Sequence, residues 1–567
     1  MKTRPLLVAF SVAFVLGACV KTPDTAPRAA ESQVQVLPLR QHLQAPMQVQ
    51  PQAEVAKSSV LAHGRQKAAV GAVMDMAMHP LPPVVEETDR ENYAHFDDNP
   101  LKLVAEHPVS TFSIDVDTGS YANVRRILME GRLPPKDAVR AEELINYFSY
   151  ADPAPQQGEK PFKVNLQFGP TPWNANTRLL RVAIKAQEIQ QKDLPPANLV
   201  FLVDVSGSMN APAKLPLLKR SLKMLSREMD QDDRVSLVVY AGASGVVLEP
   251  TAGDQSATIE QALEKLSAGG STNGGAGIRL AYAKAREAFI KGGINRVILA
   301  TDGDFNVGTV NHQALLDLIG QQRKAGIALT TLGFGSGNYN DHLMEQLADH
   351  GNGNYAYIDS LLEARKVLVE EVGGTLQTVA KDVKIQIEFN PTQVSEYRLI
   401  GYENRMLRRE DFNNDKVDAG EVGAGHSVVA LYELALKDGG GERVDPLRYA
   451  EKSQEQAMST DEVAFVKLRY KAPAQDKSQL ISFPLKRSDA LAELADTADD
   501  YRFSAAVAAF AQQLRGGRYL EGFDYTQILE LARGSRGEDV RGYRSDFLRV
   551  AGLAQSLQPQ TVAGKTD

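Results

Sequence analysis

Between residues 197 and 372 the chain alternates short apolar runs with longer amphipathic stretches. NLVFLVDV (198–205) and RVILAT (296–301) are almost continuously apolar, the pattern of strands buried on both faces of a parallel sheet. DRVSLVVYA (233–241), IALTTLGFG (327–335) and NYAYID (354–359) read as further strands. The segments between them, 214–229, 256–266, 275–290, 312–326 and 341–350, place apolar residues three and four apart; Ile259 and Leu263, for example, share one helical face. SLLEARKVLVEEV (360–372) is the closing helix. This βα alternation predicts a doubly wound, mostly parallel α/β domain with helices on both faces, and its length suits a single domain.

On either side the period changes to two. FKVNLQFGP (162–170) and TRLLRVAIKA (177–186) precede the α/β segment, and 383–391, 395–403, 426–434, 462–471 and 479–485 follow it, all reading as antiparallel strands with polar outer faces. Neither flank alone has many strands, so the simplest account is one β-sandwich with the α/β domain inserted in a connection. VSTFSIDV (109–116) adds a strand, and 120–131 and 140–150 read as helices, the second with aromatic anchors. The tail, 489–517 and 525–557, is helical, and its Ala-rich face implies close helix packing.

The N-terminal end carries Lys2 and Arg4, the apolar stretch Pro5 to Val15, and then Leu16-Gly17-Ala18-Cys19. That stretch is shorter than the roughly 20 residues a spanning helix needs. It resembles a bacterial lipoprotein signal, which implies cleavage before Cys19, lipidation of that residue and anchoring in a lipid bilayer. Val20 after the cysteine implies delivery to the outer membrane, facing the periplasm. Cys19 is the sole cysteine, so the chain forms no internal disulfide. Residues 20 to about 90 have few aromatics and no sustained period, and read as a flexible tether. The expected organisation is a signal peptide (1–18), tether (19–90), N-terminal accessory region (91–190), α/β domain (191–375), β-rich region (376–486) and helical region (487–560).

Chemistry concentrates in three clusters: Asp204, Ser206 and Ser208 in DVSGSM, Thr272 in GGSTNG, and Asp302 in ATDGD. Asp204 and Asp302 fall at the carboxyl ends of predicted strands, where open α/β sheets place their ligands. Ser206 and Ser208 alternate with Asp204 on a glycine-containing loop, so their oxygens can converge. Hard cations take oxygen ligands and keep some water, and two carboxylates with three hydroxyls suit Mg²⁺; ligand identity alone leaves Mn²⁺ and Ca²⁺ open. The spacing Asp-x-Ser-x-Ser with a distant Thr and a distant Asp resembles the von Willebrand factor type A domain and its metal-ion-dependent adhesion site. INYFSY (145–150) and DVDTGSYANVRR (115–126) resemble regions that accompany this domain in a family of bacterial lipoproteins. The resemblance implies a metal held by Asp204, Ser206, Ser208, Thr272 and Asp302, and a protein or envelope partner that supplies a carboxylate to it.

Other chemistries fare worse. The formal net charge is −8, which disfavours nucleic acid as a partner. The nine histidines form no His-x-x-x-His pair for a hydrolytic zinc site. Asp117-Thr118-Gly119 has no second copy to supply the facing carboxylate of an aspartic protease, and reads as a turn opening a helix. The paired glycines at 269–270 and 274–275 lack a phosphate-loop lysine and are expected to let backbone pass close to the metal. The expectation is a membrane-tethered binding protein with no catalytic residues. The alternatives are a structural envelope component whose metal only stabilises its loops, or an enzyme with its site in the flanking regions.

Overall fold

The computed structural model describes residues 90–558, except 157, 304, 306–311, 438 and 446–460. The signal segment with Cys19 and the expected tether lie outside the described residues.

The predicted α/β domain is a six-stranded sheet in the order Tyr355–Ile358, Ala328–Phe334, Ile294–Thr301, Ala197–Asp204, Arg234–Tyr240, Ser244–Ala252. The first five strands run parallel, and every residue of the two central ones is buried. Helix Leu215–Ser226 packs Leu218, Leu222 and Leu225 on one face of the sheet, against Leu199, Phe201 and Val203. Helix Gly274–Glu287 packs Ile278, Ala281, Tyr282 and Ala285 on the other, against Val200 and Leu202. Such fully buried leucines each contribute about 2–3 kcal/mol, so the strand alternation in sequence becomes a two-sided core. The edge strand Ser244–Ala252 was not expected: it pairs antiparallel with Arg234–Tyr240 and is half-buried apart from the exposed Glu249, so it shows neither an apolar run nor clean alternation.

The flanking strands form two further sheets. Strands Lys102–Leu103, Val394–Ile400, Ser427–Leu436, Asn174–Ala186 and Phe162–Thr171 make the first. In the second, Thr378–Phe389 pairs with Val422–Gly423, Val109–Ser113 and Glu462–Lys471, which pairs in turn with Gln479–Lys486. Segments from before and after the α/β domain are therefore hydrogen-bonded neighbours: Val182 sits opposite Ala430, and Phe112 opposite Ile385. Phe112, Val182, Ile184, Ile385, Phe389, Tyr432 and Val466 share the core between the sheets.

Helices Gly119–Met129 and Ala141–Asn146 from the front of the chain meet Asp499–Leu514, Tyr525–Gly534 and Tyr543–Leu557 from its end. The alanines of Asp499–Leu514 are buried, and Phe148, Phe503, Phe510 and Phe547 interlock edge-to-face beside them.

Three helical expectations need correction. Residues 489–498 contain only short 3₁₀ turns, because Leu491 N donates to Phe168 O and the backbone is drawn along a strand. The helix expected over 140–150 ends at Asn146, whose side chain accepts from Val429 N and donates to Tyr402 Oη, while Tyr150 Oη donates to the Ile145 carbonyl. The closing helix of 360–372 is broken by a wide π turn at Lys366–Glu370.

Buried ion pairs fasten the α/β domain to its surroundings. Arg125 bonds Asp359 at 2.6 and 2.7 Å and Glu363 at 2.7 Å, and Arg140 bonds Asp341 at 2.5 Å. Asp117 accepts from Tyr355 N at 2.9 Å, which gives the Asp-Thr-Gly segment a docking role; the helix after it starts at Gly119.

Candidate metal centre

The carboxyl ends of Ala197–Asp204 and Ile294–Thr301 are adjacent in the sheet, and this adjacency brings Asp204 and Asp302 to one place. Both carboxylates are fully buried. Asp204 Oδ1 accepts from Ser206 N at 2.8 Å, closing a tight turn that sends the loop back over the strand end. Its Oδ2 accepts from Thr301 Oγ1 at 2.9 Å and from Tyr240 Oη at 3.1 Å. Burial pushes the Asp204 carboxyl above its ordinary range, the Ser206 amide opposes this, and the nearby Asp302 charge adds to it. A cation at this place would relieve the same cost, since it pays for two desolvated negative charges at once.

The 3₁₀ turn Gly207–Asn210 carries Ser208 outward while Met209 is driven into the core beneath it. Ser206 Oγ and Ser208 Oγ lie 3.0 Å apart, so the two hydroxyls converge as the alternation predicts. The Thr272 loop is stitched to this one by Gly269 N to Val205 O at 2.8 Å and Gly207 N to Gly270 O at 3.1 Å. Gly270 has φ +86°, a left-handed conformation that favours glycine. Thr272 is half-buried, two residues before helix Gly274–Glu287. Phe305 closes the floor, packing edge-to-face on Tyr240 at 5.4 Å and against Gly274, where a Cβ would meet its ring at 2.6 Å.

The structure thus gathers the loops of all five predicted residues at one end of the sheet, with the two charges buried and Ser208 exposed at the rim. This donor set, two carboxylates and neutral hydroxyls, fits a hard divalent cation, and Asp204, Ser206, Ser208, Thr272 and Asp302 are the residues that would hold it. Missed in the sequence were Thr301 and Tyr240, which brace Asp204, and Lys214, whose Nζ donates to Asp302 Oδ2 at 2.8 Å and to Asn338 Oδ1 at 3.1 Å. No local pattern marks them, because each acts through the fold.

Asp115, Glu143 and Glu345 form a second acidic cluster. Arg405 bonds Asp115 at 2.9 Å and Glu345 at 3.0 Å, and Arg140 bonds Glu143. Two guanidiniums bond these three carboxylates and also reach Asp341 and Asp349, so the cluster belongs to the buried ion-pair network. Burial nonetheless pushes Glu345 up to about 8.

The sheet order and the donor loops define a von Willebrand factor type A domain, and the family profile of that description matches residues 198–371. Type A domains often bind a divalent metal at this motif and often mediate protein interactions through it. Residues 87–181 match a profile described as von Willebrand factor, and 374–557 match one described as Uncharacterized protein YfbK, C-terminal. The chain is 48% identical over 472 residues to Uncharacterized protein YfbK of Escherichia coli (strain K12), covering 82% of this chain and 81% of that one. It belongs to the YfbK family of type A domain proteins. Uncharacterized protein sll0103 of Synechocystis sp. is 28% identical over 187 residues, 33% of this chain and 43% of that one. Among solved structures, a von Willebrand factor type A protein from Catenulispora acidiphila aligns with TM-score 0.38 and 15% identity, over 68% of this chain and 89% of that one.

Proposed function

We propose that this protein is a lipid-anchored envelope protein, without catalytic activity, that grips an acidic group of a protein or envelope partner at the type A domain. The observation that carries the reading is the layering of the site: two buried carboxylates under a rim of Ser208 and half-buried Thr272. A bound Mg²⁺, or Mn²⁺ or Ca²⁺ in its place, would supply a coordination position that an incoming carboxylate can take. Asp204 and Asp302 would hold the charge, and the neutral hydroxyls would add ligands without adding negative charge. Tyr240 and Thr301 fix Asp204 by hydrogen bonds, so the loop is pre-organised for binding. In a site of reduced dielectric the contact outweighs screened surface charge, whose reach is about 8 Å at physiological salt. Leu16-Gly17-Ala18-Cys19 supports lipid anchoring, and Val20 after it supports delivery to the outer membrane, facing the periplasm.

The test is capture of cross-linked envelope material by the full chain, with and without a divalent-ion chelator, beside an Asp204→Ala variant. Chelation and the substitution should release the same partner. A partner retained in both arms would move recognition to the β-sandwich or the helices.

A further inference from the structure

Lys214 immediately precedes helix Leu215–Ser226, and its ammonium turns back into the donor loops. The side chain is 9% exposed, and its Nζ is shared between Asp302 Oδ2 and Asn338 Oδ1. Its stem lies along Gly335, which has φ +76° and where a Cβ would stand 2.3 Å from Lys214 Cε, so only glycine leaves this corridor open. The loop carrying Asn338 is itself braced. Arg90 N donates to Gly337 O and Asn92 N to Tyr339 O, both at 2.9 Å, and Gly337 N donates to Glu91 Oε1 at 2.9 Å. A desolvated ammonium is costly unless paired, and here the Gly335–Asn338 loop holds it against a proposed cation ligand.

We infer that Lys214 is a specificity-determining residue of the cation site: it weakens binding of the bare divalent cation and makes tight binding conditional on an anionic ligand. The inference rests on the reading of the site above. Two carboxylates alone would neutralise a divalent ion and leave little pull on a further anion. With the ammonium fixed on Asp302, the site carries one net negative charge without the cation and one net positive charge with it. An incoming carboxylate restores neutrality, so cation and acidic ligand each raise the other's affinity, as linkage requires. Asn338 and the Gly335 corridor matter because they keep the ammonium from swinging out to solvent, where its charge would be screened.

The test titrates Mn²⁺ into the full chain and into Lys214→Met and Lys214→Gln, by electron paramagnetic resonance of free Mn²⁺, in sodium acetate and in sodium chloride of equal ionic strength. Lys214→Gln keeps a hydrogen-bonding group toward Asp302 and Asn338 without charge, and serves if Lys214→Met does not fold. Both variants should bind Mn²⁺ at least tenfold more tightly than the parent in chloride, and acetate should tighten the parent more than either variant. Equal or weaker binding in the variants, with the parent competent, overturns the role of Lys214 and leaves the site itself standing. Absence of binding in all three chains overturns both. Binding only in the variants supports the inference in its strongest form.

Discussion

Replacing Arg125 with Met should uncouple the type A domain from the helices that flank it. The guanidinium, 4% exposed on its side chain, links helix Gly119–Met129 to Asp359 at 2.6 Å and Glu363 at 2.7 Å, to Tyr147 Oη at 3.0 Å and to Asp546 at 3.3 Å. Methionine fills the stem but leaves two buried carboxylates without their main counter-charge. Breaking a buried pair in this way costs about 3–5 kcal/mol. The deficit should depend on pH. Burial already raises the Glu363 carboxyl in the folded chain, with Arg125 opposing it. A carboxyl raised on folding favours the folded state at low pH and loses that contribution as pH rises through its folded value. Without Arg125 it rises further, so the variant is penalised most at alkaline pH and recovers as Glu363 takes up a proton. Urea denaturation at pH 8 and pH 5, followed by fluorescence of the single tryptophan, Trp173, and by circular dichroism, measures this; Trp173 is buried in the helical cluster. The expected shift is about 3–5 kcal/mol at pH 8 and clearly less at pH 5, with a lower slope if the two parts cease to unfold together. A shift under about 1 kcal/mol at both pH values, the size of an exposed pair, would refute the reasoning.

Among the described residues His426 Nδ1 is buried with no hydrogen-bond partner, and burial lowers the ring to about 4. Its neutral form is the folded one, so stability is held above the unfolded value near 6.5 and lost as pH falls toward 4, by at most about 3 kcal/mol. His426→Leu should flatten that window; an unchanged acid profile would contradict it. Cys19→Ala should abolish lipid labelling and release the chain from membranes, and normal labelling of the variant would remove the anchor from the account. Gly303 has φ +88°, and a Cβ there would lie 2.4 Å from Asn340 N, so Gly303→Ala should lower thermal stability and disturb the Asp302 loop. A melting temperature equal to the parent's would show that the loop relaxes freely.

How much the sequence revealed follows from what each segment buries. Residues 198–205 and 296–301 are covered on both faces, so their apolar runs mark them as central strands, and the motif spacing then places Asp204 and Asp302 at adjacent strand ends. Ser244–Ala252 is half-buried at an edge and leaves no such trace. The amphipathic pattern of 489–498 suggests helix, yet its backbone is claimed by Phe168, a partner more than 300 residues away in sequence. Lys214 shows the same limit at the site: Asp302 lies 88 residues farther along, and only the completed sheet brings the two together. The sequence places Asp117 just ahead of a helix, which starts at Gly119, but its acceptance of Tyr355 N, which fixes the type A domain in place, is tertiary information.

The most direct measurement of the central claim is calorimetric titration of Mg²⁺ and Mn²⁺, in sodium acetate so that an anionic ligand is present, into the full chain and into Asp204→Ala, Asp302→Ala and Thr272→Ala. The parent should bind one ion, the two aspartate variants should lose affinity by at least tenfold because a buried charged ligand is gone, and Thr272→Ala should lose less. Unchanged affinity in both aspartate variants would contradict the assignment of the site.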